Sequence, residues 1–138
     1  MTSTPKPSVF SHRLQVRFRD CDAMGHVNNA VYLTYLEEAR FAYWRSIWGA
    51  EMGAPGTPTV ILARAEIDYR KAASYGDVLE VRLALEKVGR TSITSTYEIL
   101  TDRGELIANA KTVLVAYDYA KGEPVPITDD VRARLLSS

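Results

Sequence analysis

The sequence has little of what several protein classes require. Cysteine occurs once, at Cys21, so an internal disulfide is impossible and a reducing compartment is expected. No apolar run approaches the roughly 18 residues of a membrane-spanning helix. The amino-terminal residues also lack the apolar core of a signal peptide. These absences predict a cytoplasmic protein that does not cross a membrane.

An excess of either charge is also missing. The chain has 17 Lys plus Arg and 17 Asp plus Glu residues, so its formal net charge is zero. Proteins that hold nucleic acid by its phosphates usually carry a basic excess. The composition therefore predicts no nucleic-acid partner.

Two common catalytic arrangements are absent from the sequence. There is no G-x-S-x-G segment, the strained turn that presents a nucleophilic serine. The two histidines and the single cysteine are not spaced as paired metal ligands. We therefore expect no metal site and no bound cofactor, and any chemistry has to come from the remaining polar side chains and the backbone.

The pattern of apolar residues predicts one domain over residues 1–138, in which residues 1–9 form a loose lead-in. Alternation of apolar and polar residues predicts a strand from His12 and four more strands between residues 61 and 119. In the last of these strands a change of parity predicts a bulge near Lys111 or Thr112. Residues 128–136 fit a short helix that begins at Thr128.

A long helix is predicted between the first and second strands. Apolar residues recur there at steps of three and four, whereas acidic and basic residues lie mostly off this stripe. The stripe consists of Tyr32, Leu36, Ala39, Tyr43 and Ile47. Asn28 or Asn29 is the expected N-cap, and Gly49 is the expected end. Short connections between the later strands make them antiparallel neighbours, so we expect an α+β fold with this helix across one sheet.

The segment in front of the helix carries the candidate chemistry. It reads RDCDAMGHVNN over residues 19–29 and places two acids, a glycine and a histidine just before the helix start. The first turn of a helix has unpaired N–H groups that favour developing negative charge, and an acid beside them is a catalytic pairing. Asp20 and Asp22 are both candidates, and His26 is placed to orient a substrate or relay a proton.

Each of these residues also has a structural interpretation. Asp22 fits a loop-capping acid, and His26 fits a histidine packed in the loop. Cys21 is better explained by packing than as a nucleophile, because neighbouring acids suppress thiolate formation. Glu37 and Glu38 fit a solvated helix face.

A resemblance to a known family rests on two segments. DCDAMGHVNNAVYLTYLEEAR (20–40) and IDYRKAASYGDVLEV (67–81) resemble the hotdog-fold thioesterases, in the branch similar to 4-hydroxybenzoyl-CoA thioesterase and the acyl-CoA thioesterases. The resemblance covers roughly residues 12–119. It departs at Lys71 and Ala72, where family members usually have a proline. It implies a hotdog fold, in which a five-stranded curved antiparallel sheet wraps around one long central helix.

The resemblance also implies roles for individual residues. Asp22 matches the catalytic carboxylate of the family, and Asn29 matches the residue whose backbone N–H polarises the thioester carbonyl. The aromatic-substrate enzyme has aromatic residues at the positions of Asn28 and Asn29, so the HVNN segment is more similar to aliphatic acyl-CoA thioesterases. Asn28 and Tyr32 are candidate substrate contacts at the helix start.

Binding of the coenzyme A part of an acyl-CoA substrate needs local basic residues, because the net charge is zero. Arg70 and Lys71, and Lys87 and Arg90, lie at predicted strand ends and are candidates for its phosphates. Ordinary charge at a sheet edge explains them equally well. Long unprotected sheet edges also favour a homodimer, or a tetramer built from dimers.

Alternatives remain open because a fold does not determine a function. The chain fits a non-catalytic module that binds acyl thioesters, a thioesterase that acts on acyl-carrier protein, or a hotdog dehydratase in which Asp22 and His26 act as a pair. Retention of an acid at the helix start favours the acyl-CoA thioesterase.

Overall fold

The computed structural model of the chain describes residues 2–3 and 8–138. The elements in chain order are β1 (Phe10–Gln15), α1 (Val31–Trp48), β2 (Val60–Tyr69), β3 (Val78–Val88), β4 (Ser92–Thr101), β5 (Leu106–Asp118), β6 (Glu123–Pro124) and α2 (Asp129–Leu136). The helices within this part of the chain are all too short or too polar to cross a membrane.

The strands form one antiparallel sheet in the order β1-β3-β4-β5-β2, and the two-residue β6 pairs with β5. Short turns join β3, β4 and β5, whereas β2 crosses over its sequence neighbour β3 and pairs with β5. Among the described strands, the free edges are therefore β1 and β2. The predicted α+β fold, one long helix against an antiparallel sheet, is confirmed.

The core lies between α1 and one face of the sheet. The helix contributes a broad buried stripe that includes three tyrosines, and the strands contribute aliphatic side chains from alternate positions. The principal members are Tyr32, Tyr35, Leu36, Ala39, Tyr43, Val81, Leu83, Tyr97, Ile99 and Ala108. Burial of this stripe fixes α1 against the sheet and leaves its start at one end of the fold.

The helix starts later than the sequence predicts. Its N-cap is Ala30, not Asn28 or Asn29. The reason is that the Asn28 side chain accepts a hydrogen bond from the Ala30 N–H (2.9 Å) in a turn before the helix, so it is not available to cap the first helical turn. The end is as predicted, because Gly49 adopts the left-handed conformation at φ 65°.

The polar face of α1 is less solvated than expected. Arg40, predicted to lie off the buried stripe, is only 7% exposed, because it folds back toward the Tyr97 hydroxyl at 3.5 Å. The Glu38 carboxylate accepts a hydrogen bond from the His12 ring of β1 (2.6 Å), whereas Glu37 is exposed.

The predicted bulge near Lys111 or Thr112 is wrong. The register of β5 runs without interruption through both residues, and Thr112 points into the core, where its hydroxyl lies 2.7 Å from that of Tyr97. This partner lets a polar residue occupy an inward position, so Leu114 follows it inward where the pattern suggested Val113. The observed irregularities lie opposite Leu62–Arg64 and at Ile99–Leu100.

The second helix closes the far end of the same face. As predicted, α2 follows Thr128, whose hydroxyl accepts from the Val131 N–H at 3.3 Å. Leu135 is fully buried in a second cluster with Trp44 and Ile93. Of the predicted lead-in, residues 1 and 4–7 lie outside the described residues, and Ser3 exchanges two backbone hydrogen bonds with Val88.

Candidate active site

The loop in front of α1 is a small hairpin. Cys21 and Val27 form an antiparallel bridge, and the Asp22 N–H donates to the His26 carbonyl at 2.9 Å. Gly25 turns the chain at φ 84°, a conformation that residues with a Cβ rarely adopt. The Val27 N–H donates to the Ala73 carbonyl (2.8 Å), so the hairpin is fixed to the segment that follows β2.

The Asp22 carboxylate is exposed and only partly engaged. Its Oδ1 accepts a hydrogen bond from the Met24 N–H at 2.9 Å, which is the turn-capping role anticipated as the structural interpretation. Among the described residues its other oxygen has no hydrogen-bond partner. The loop therefore orients the carboxylate through one oxygen and presents the second to solvent.

The two asparagines arrange the backbone donors at the start of α1. The Asn28 carbonyl accepts from the Val31 N–H, and its side chain holds the Ala30 N–H. The Asn29 carbonyl accepts from the Tyr69 hydroxyl of β2 at 2.9 Å, but within the described part of the chain its N–H has no acceptor. One backbone donor is thus left unused just before the positive end of the helix.

Asp22 and Asn29 lie on the two sides of this hairpin. Asp22 lies opposite His26, and Asn29 follows three residues later, so at about 3.3 Å per residue along the strand and about 5 Å across it their Cα atoms lie within roughly 15 Å of each other. A carboxylate with a free oxygen and an unused N–H are therefore carried by one rigid loop. This arrangement is suited to the attack on a carbonyl whose oxygen becomes negatively charged.

The competing acid, Asp20, is a structural residue. It is 4% exposed and accepts hydrogen bonds from the Tyr35 hydroxyl (2.8 Å), the Arg17 N–H (2.9 Å) and the Arg17 guanidinium (3.2 Å). Burial opposes ionisation of Asp20, but these hydrogen bonds and the Arg17 charge outweigh it and lower the pKa of Asp20. Burial and the bond to Asp20 in turn raise the pKa of Tyr35. Asp20 is therefore fully engaged, which leaves Asp22 as the available acid.

The other two candidates at this end differ in accessibility. The His26 ring is exposed, and its backbone pairs with Ser74. Tyr32, expected to contact substrate, is only 3% exposed; its hydroxyl accepts from the Ala73 N–H (3.2 Å), and its ring packs edge-on against Tyr69. Burial raises the pKa of Tyr32. Tyr32 is a core residue that supports the hairpin from below.

The four basic residues expected at neighbouring strand ends do not lie together. Arg70 and Lys71 donate backbone hydrogen bonds to Ile107 at the start of β5. Lys87 instead precedes Val88, which pairs with Ile93 of β4, and Ile93 pairs in turn with Leu114 near the end of β5. Seven residues of β5 separate these positions, which is roughly 23 Å. The expectation failed because β2 pairs with β5 and is not a neighbour of β3.

The two basic groups also differ in their partners. Arg70 contacts Asn109 and Asp68, and Lys71 pairs with Glu105. The side chains of Lys87 and Arg90 are exposed and form no ion pair with the described residues. Only the second group is free to bind an external anion without breaking an existing contact.

A groove between α1 and β2 was not predicted from the sequence. It consists of two adjoining cavities of about 140 and 290 Å³ that share Glu37, Arg40 and Leu62. The wall also contains Leu33, Thr34, Phe41, Met52, Val60 and Thr112. Leu33, Glu37 and Phe41 are spaced four residues apart on α1. This second, partly apolar stripe is the feature of the sequence that could have predicted the groove.

A larger cavity, about 480 Å³, lies away from these groups, between β1, the second half of α1 and the carboxyl terminus. Its lining includes Phe10, Tyr43 and Ser138. No group of three His, Cys, Asp or Glu side chains in the described ranges is arranged to hold a metal ion.

Comparisons with known proteins identify the family of the chain. The family described as Thioesterase-like superfamily matches residues 16–135. Acyl-CoA thioesterase YbgC of Haemophilus influenzae is 30% identical, over 90% of this chain and 92% of that protein. Long-chain acyl-CoA thioesterase FadM of Escherichia coli is 27% identical, over 89% and 94%. A Thermus thermophilus thioesterase, solved in complex with coenzyme A and Zn, superposes with a TM-score of 0.78 at 34% identity, over 91% of this chain and 95% of that one.

The contrast between the two acids gives a stability prediction. Because the folded-state pKa of Asp20 lies below its unfolded value, its carboxylate stabilises the fold above the ordinary Asp pKa, and this stabilisation is lost as the pH falls toward the lowered value. We expect Asp20→Asn to lower the free energy of unfolding by about 2 kcal/mol at neutral pH. The difference from wild type should shrink below about pH 4 in denaturant titrations.

Asp22→Asn is the matched control, because it changes an exposed acid with one turn hydrogen bond and should cost less than about 1 kcal/mol. Equal destabilisation by the two variants would contradict the assignment of Asp20 as the structural acid.

Proposed function

We propose a specific activity for this chain, which belongs to the thioesterase-like superfamily. The activity of the family is thioester hydrolysis, and the proposed substrates are acyl-CoA thioesters, cleaved to the free acid and coenzyme A. The observation that carries the proposal is the combination, on one hairpin, of a carboxylate oxygen and a backbone N–H that both lack partners among the described residues. Asp22 supplies the first and Asn29 the second.

In the proposed reaction the thioester carbonyl oxygen accepts the Asn29 N–H, and the positive end of α1 stabilises the charge that develops on it. Asp22 removes a proton from water as the water oxygen bonds to the carbonyl carbon. The C–S bond then breaks and the thiolate leaves, with little need for an acid because it is a weak base. Direct attack by the Asp22 carboxylate, followed by hydrolysis of the mixed anhydride, is the other route compatible with the same residues.

The proposed acyl group is aliphatic. The groove along α1 is lined in part by Leu33, Phe41 and Leu62, whose side chains are 41%, 37% and 46% exposed. Exposed apolar side chains that line one groove suit an apolar ligand. The similarity to a protein named long-chain acyl-CoA thioesterase supports the same substrate class.

We propose a homodimer formed through the free edge of β2. This edge is ten residues long, and the apolar groove lies directly beside it. A long edge strand presents unpaired backbone groups that readily pair with a second chain, and two-fold symmetry makes the two β2 strands antiparallel.

This pairing also explains the separation of the basic residues. Antiparallel β2 strands bring the Tyr69 end of one sheet beside the Val60 end of the other, which is the end that carries the turn from Lys87 to Arg90. The hairpin of one copy then faces the free basic residues of the second copy. We therefore propose that Lys87 and Arg90 hold the phosphates of an acyl-CoA whose thioester lies in the other subunit.

Asp22→Asn should lower turnover of acyl-CoA by about two to four orders of magnitude, because it removes the base or nucleophile and leaves the fold intact. Turnover is measured as the release of free thiol from acyl-CoA substrates of several chain lengths. Asp102→Asn, which changes an exposed acid in the β4–β5 turn, is the control and should keep wild-type turnover. A folded Asp22→Asn protein with near-normal turnover would contradict the assignment, and wild-type protein that binds but never cleaves these substrates would favour the non-catalytic module.

Sedimentation at micromolar concentration should show a dimer, or a tetramer built from dimers, because the β2 edge and the groove are both uncovered in a single chain. A stable monomer under these conditions would rule out an active site completed by a second copy.

Arg90→Gln should raise the Michaelis constant for acyl-CoA and weaken its salt dependence, because it removes a phosphate contact that salt screens. Hydrolysis of a pantetheine thioester, which lacks the nucleotide, should be nearly unchanged. Arg70→Gln is the matched control variant, since that arginine is already bound to Asn109. It should leave the Michaelis constants for both substrates unchanged. Equal losses on both substrates in Arg90→Gln would show that Arg90 supports the fold instead.

A further inference from the structure

Arg40 is an unusual arginine for its position. It is 93% buried on α1, yet its one hydrogen bond within the described chain is a long contact of 3.5 Å from its guanidinium to the Tyr97 hydroxyl. No carboxylate of the described residues lies within ion-pair distance of it. The paired arginines of this protein, such as Arg45 with Glu51 and Arg82 with Glu80, are instead substantially exposed.

A buried charge without a partner is costly, and the cost is offset only when hydrogen bonds or an opposite charge satisfy it. A guanidinium has five N–H donors in a fixed plane, of which Arg40 uses one. Its side chain forms part of the wall of both cavities of the groove between α1 and β2. The other guanidinium nitrogens are not among the fully buried side-chain atoms that lack a partner in the described chain, so they reach the open space of the groove and are able to donate to an acceptor that enters it.

Neighbouring polar groups reinforce this donor site. The Tyr97 hydroxyl lies 2.7 Å from that of Thr112, and Thr112 is also part of the groove wall. Glu37 lies in the same wall but is exposed and is not paired with Arg40. The buried floor of the groove thus combines a guanidinium with hydroxyl groups, beside apolar side chains.

The distance from the helix start determines what part of a substrate reaches Arg40. Arg40 follows Asn29 by eleven residues, which corresponds to about 16 Å along a helix. Between Asn29 and Arg40 the groove is lined by Leu33 and Leu62. Strand β2 runs along the whole groove, because Tyr69 bonds to Asn29 at one end and Leu62 shares the groove wall with Arg40 at the other. An acyl group whose thioester lies at Asn29 would pass these apolar residues before it reached the guanidinium.

We propose that Arg40 binds an oxygen atom at the far end of the acyl group, so that the preferred substrates are acyl thioesters oxygenated at the chain end. A hydroxyl oxygen accepts one N–H from the guanidinium, and a carboxylate accepts two in parallel. This inference depends on the proposed function, because it assumes that the thioester is held at Asn29. It makes Arg40 a residue that determines specificity and takes no part in bond cleavage.

The test compares acyl-CoA thioesters that have the same number of chain atoms and end in methyl, hydroxyl or carboxylate, over several chain lengths. At the length that spans the groove, wild-type kcat/KM should be at least about tenfold higher for an oxygenated chain, because a site built to bind oxygen discriminates against hydrocarbon. The hydroxyl and carboxylate arms distinguish a neutral from an anionic ligand. Arg40→Met should abolish the preference while hydrolysis of the methyl-ended chain continues.

Arg40→Lys keeps the charge in a similar volume and replaces the methionine variant in this test if that variant does not fold. It should retain part of the preference for carboxylate. Hydrolysis by wild type with no preference at any length would overturn this inference and leave the proposed function standing. Equal losses on all three chains together with dissociation of the oligomer would also overturn it, because Arg40 would then pair with an acid of a second copy. Absence of hydrolysis of every thioester would instead contradict the proposed function itself.

Discussion

The buried carboxylate of Asp20 is the contact on which the geometry of the candidate site depends. Its side chain binds Arg17 ahead of the hairpin and Tyr35 on α1, and its carbonyl accepts the N–H of Asn28 behind the hairpin. One residue therefore connects both ends of the loop to the helix. Because Asp20 is fully engaged in this way, Asp22 is held two residues away with an oxygen free, and the unused N–H of Asn29 is kept at the helix start. The position of the proposed reactive groups therefore depends on a structural ion pair.

The same helix serves two surfaces. Its apolar stripe is buried against the sheet and supplies most of the core, whereas the side that carries Leu33, Glu37 and Phe41 forms one wall of the groove beside β2. Because α1 is fixed by its buried face, the residues that it contributes to the groove stay at constant distances from the helix start. The groove, the donor at its beginning and Arg40 along its length are therefore fixed relative to one another, and the proposed substrate would lie along the helix axis.

Local patterns in the sequence were sufficient for most of the fold. Period-two alternation predicted the strands, the spacing of Tyr32, Leu36 and Ala39 predicted α1, and Thr128 predicted the start of α2. Features that depend on partners distant in sequence were not predictable. Thr112 is inward because its hydroxyl is hydrogen-bonded to that of Tyr97, and the basic pairs are far apart because β2 pairs with β5. The burial of Arg40 also depends on distant residues. A charged residue off the apolar stripe of a helix is predicted to be exposed, and only the position of the sheet shows that Arg40 is buried.

In the proposed reaction the Asn29 N–H binds the carbonyl oxygen of a thioester. The direct measurement is the amide signal of Asn29 in a nitrogen-15 NMR spectrum of protein bound to two non-hydrolysable acyl-CoA analogues. One analogue is a ketone, which retains the carbonyl, and the other is a thioether, which lacks it. We expect the Asn29 amide proton to shift downfield with the ketone and to stay near its free position with the thioether, because only the ketone offers an acceptor. The same Asn29 shift with both analogues, or none with either, would contradict the account.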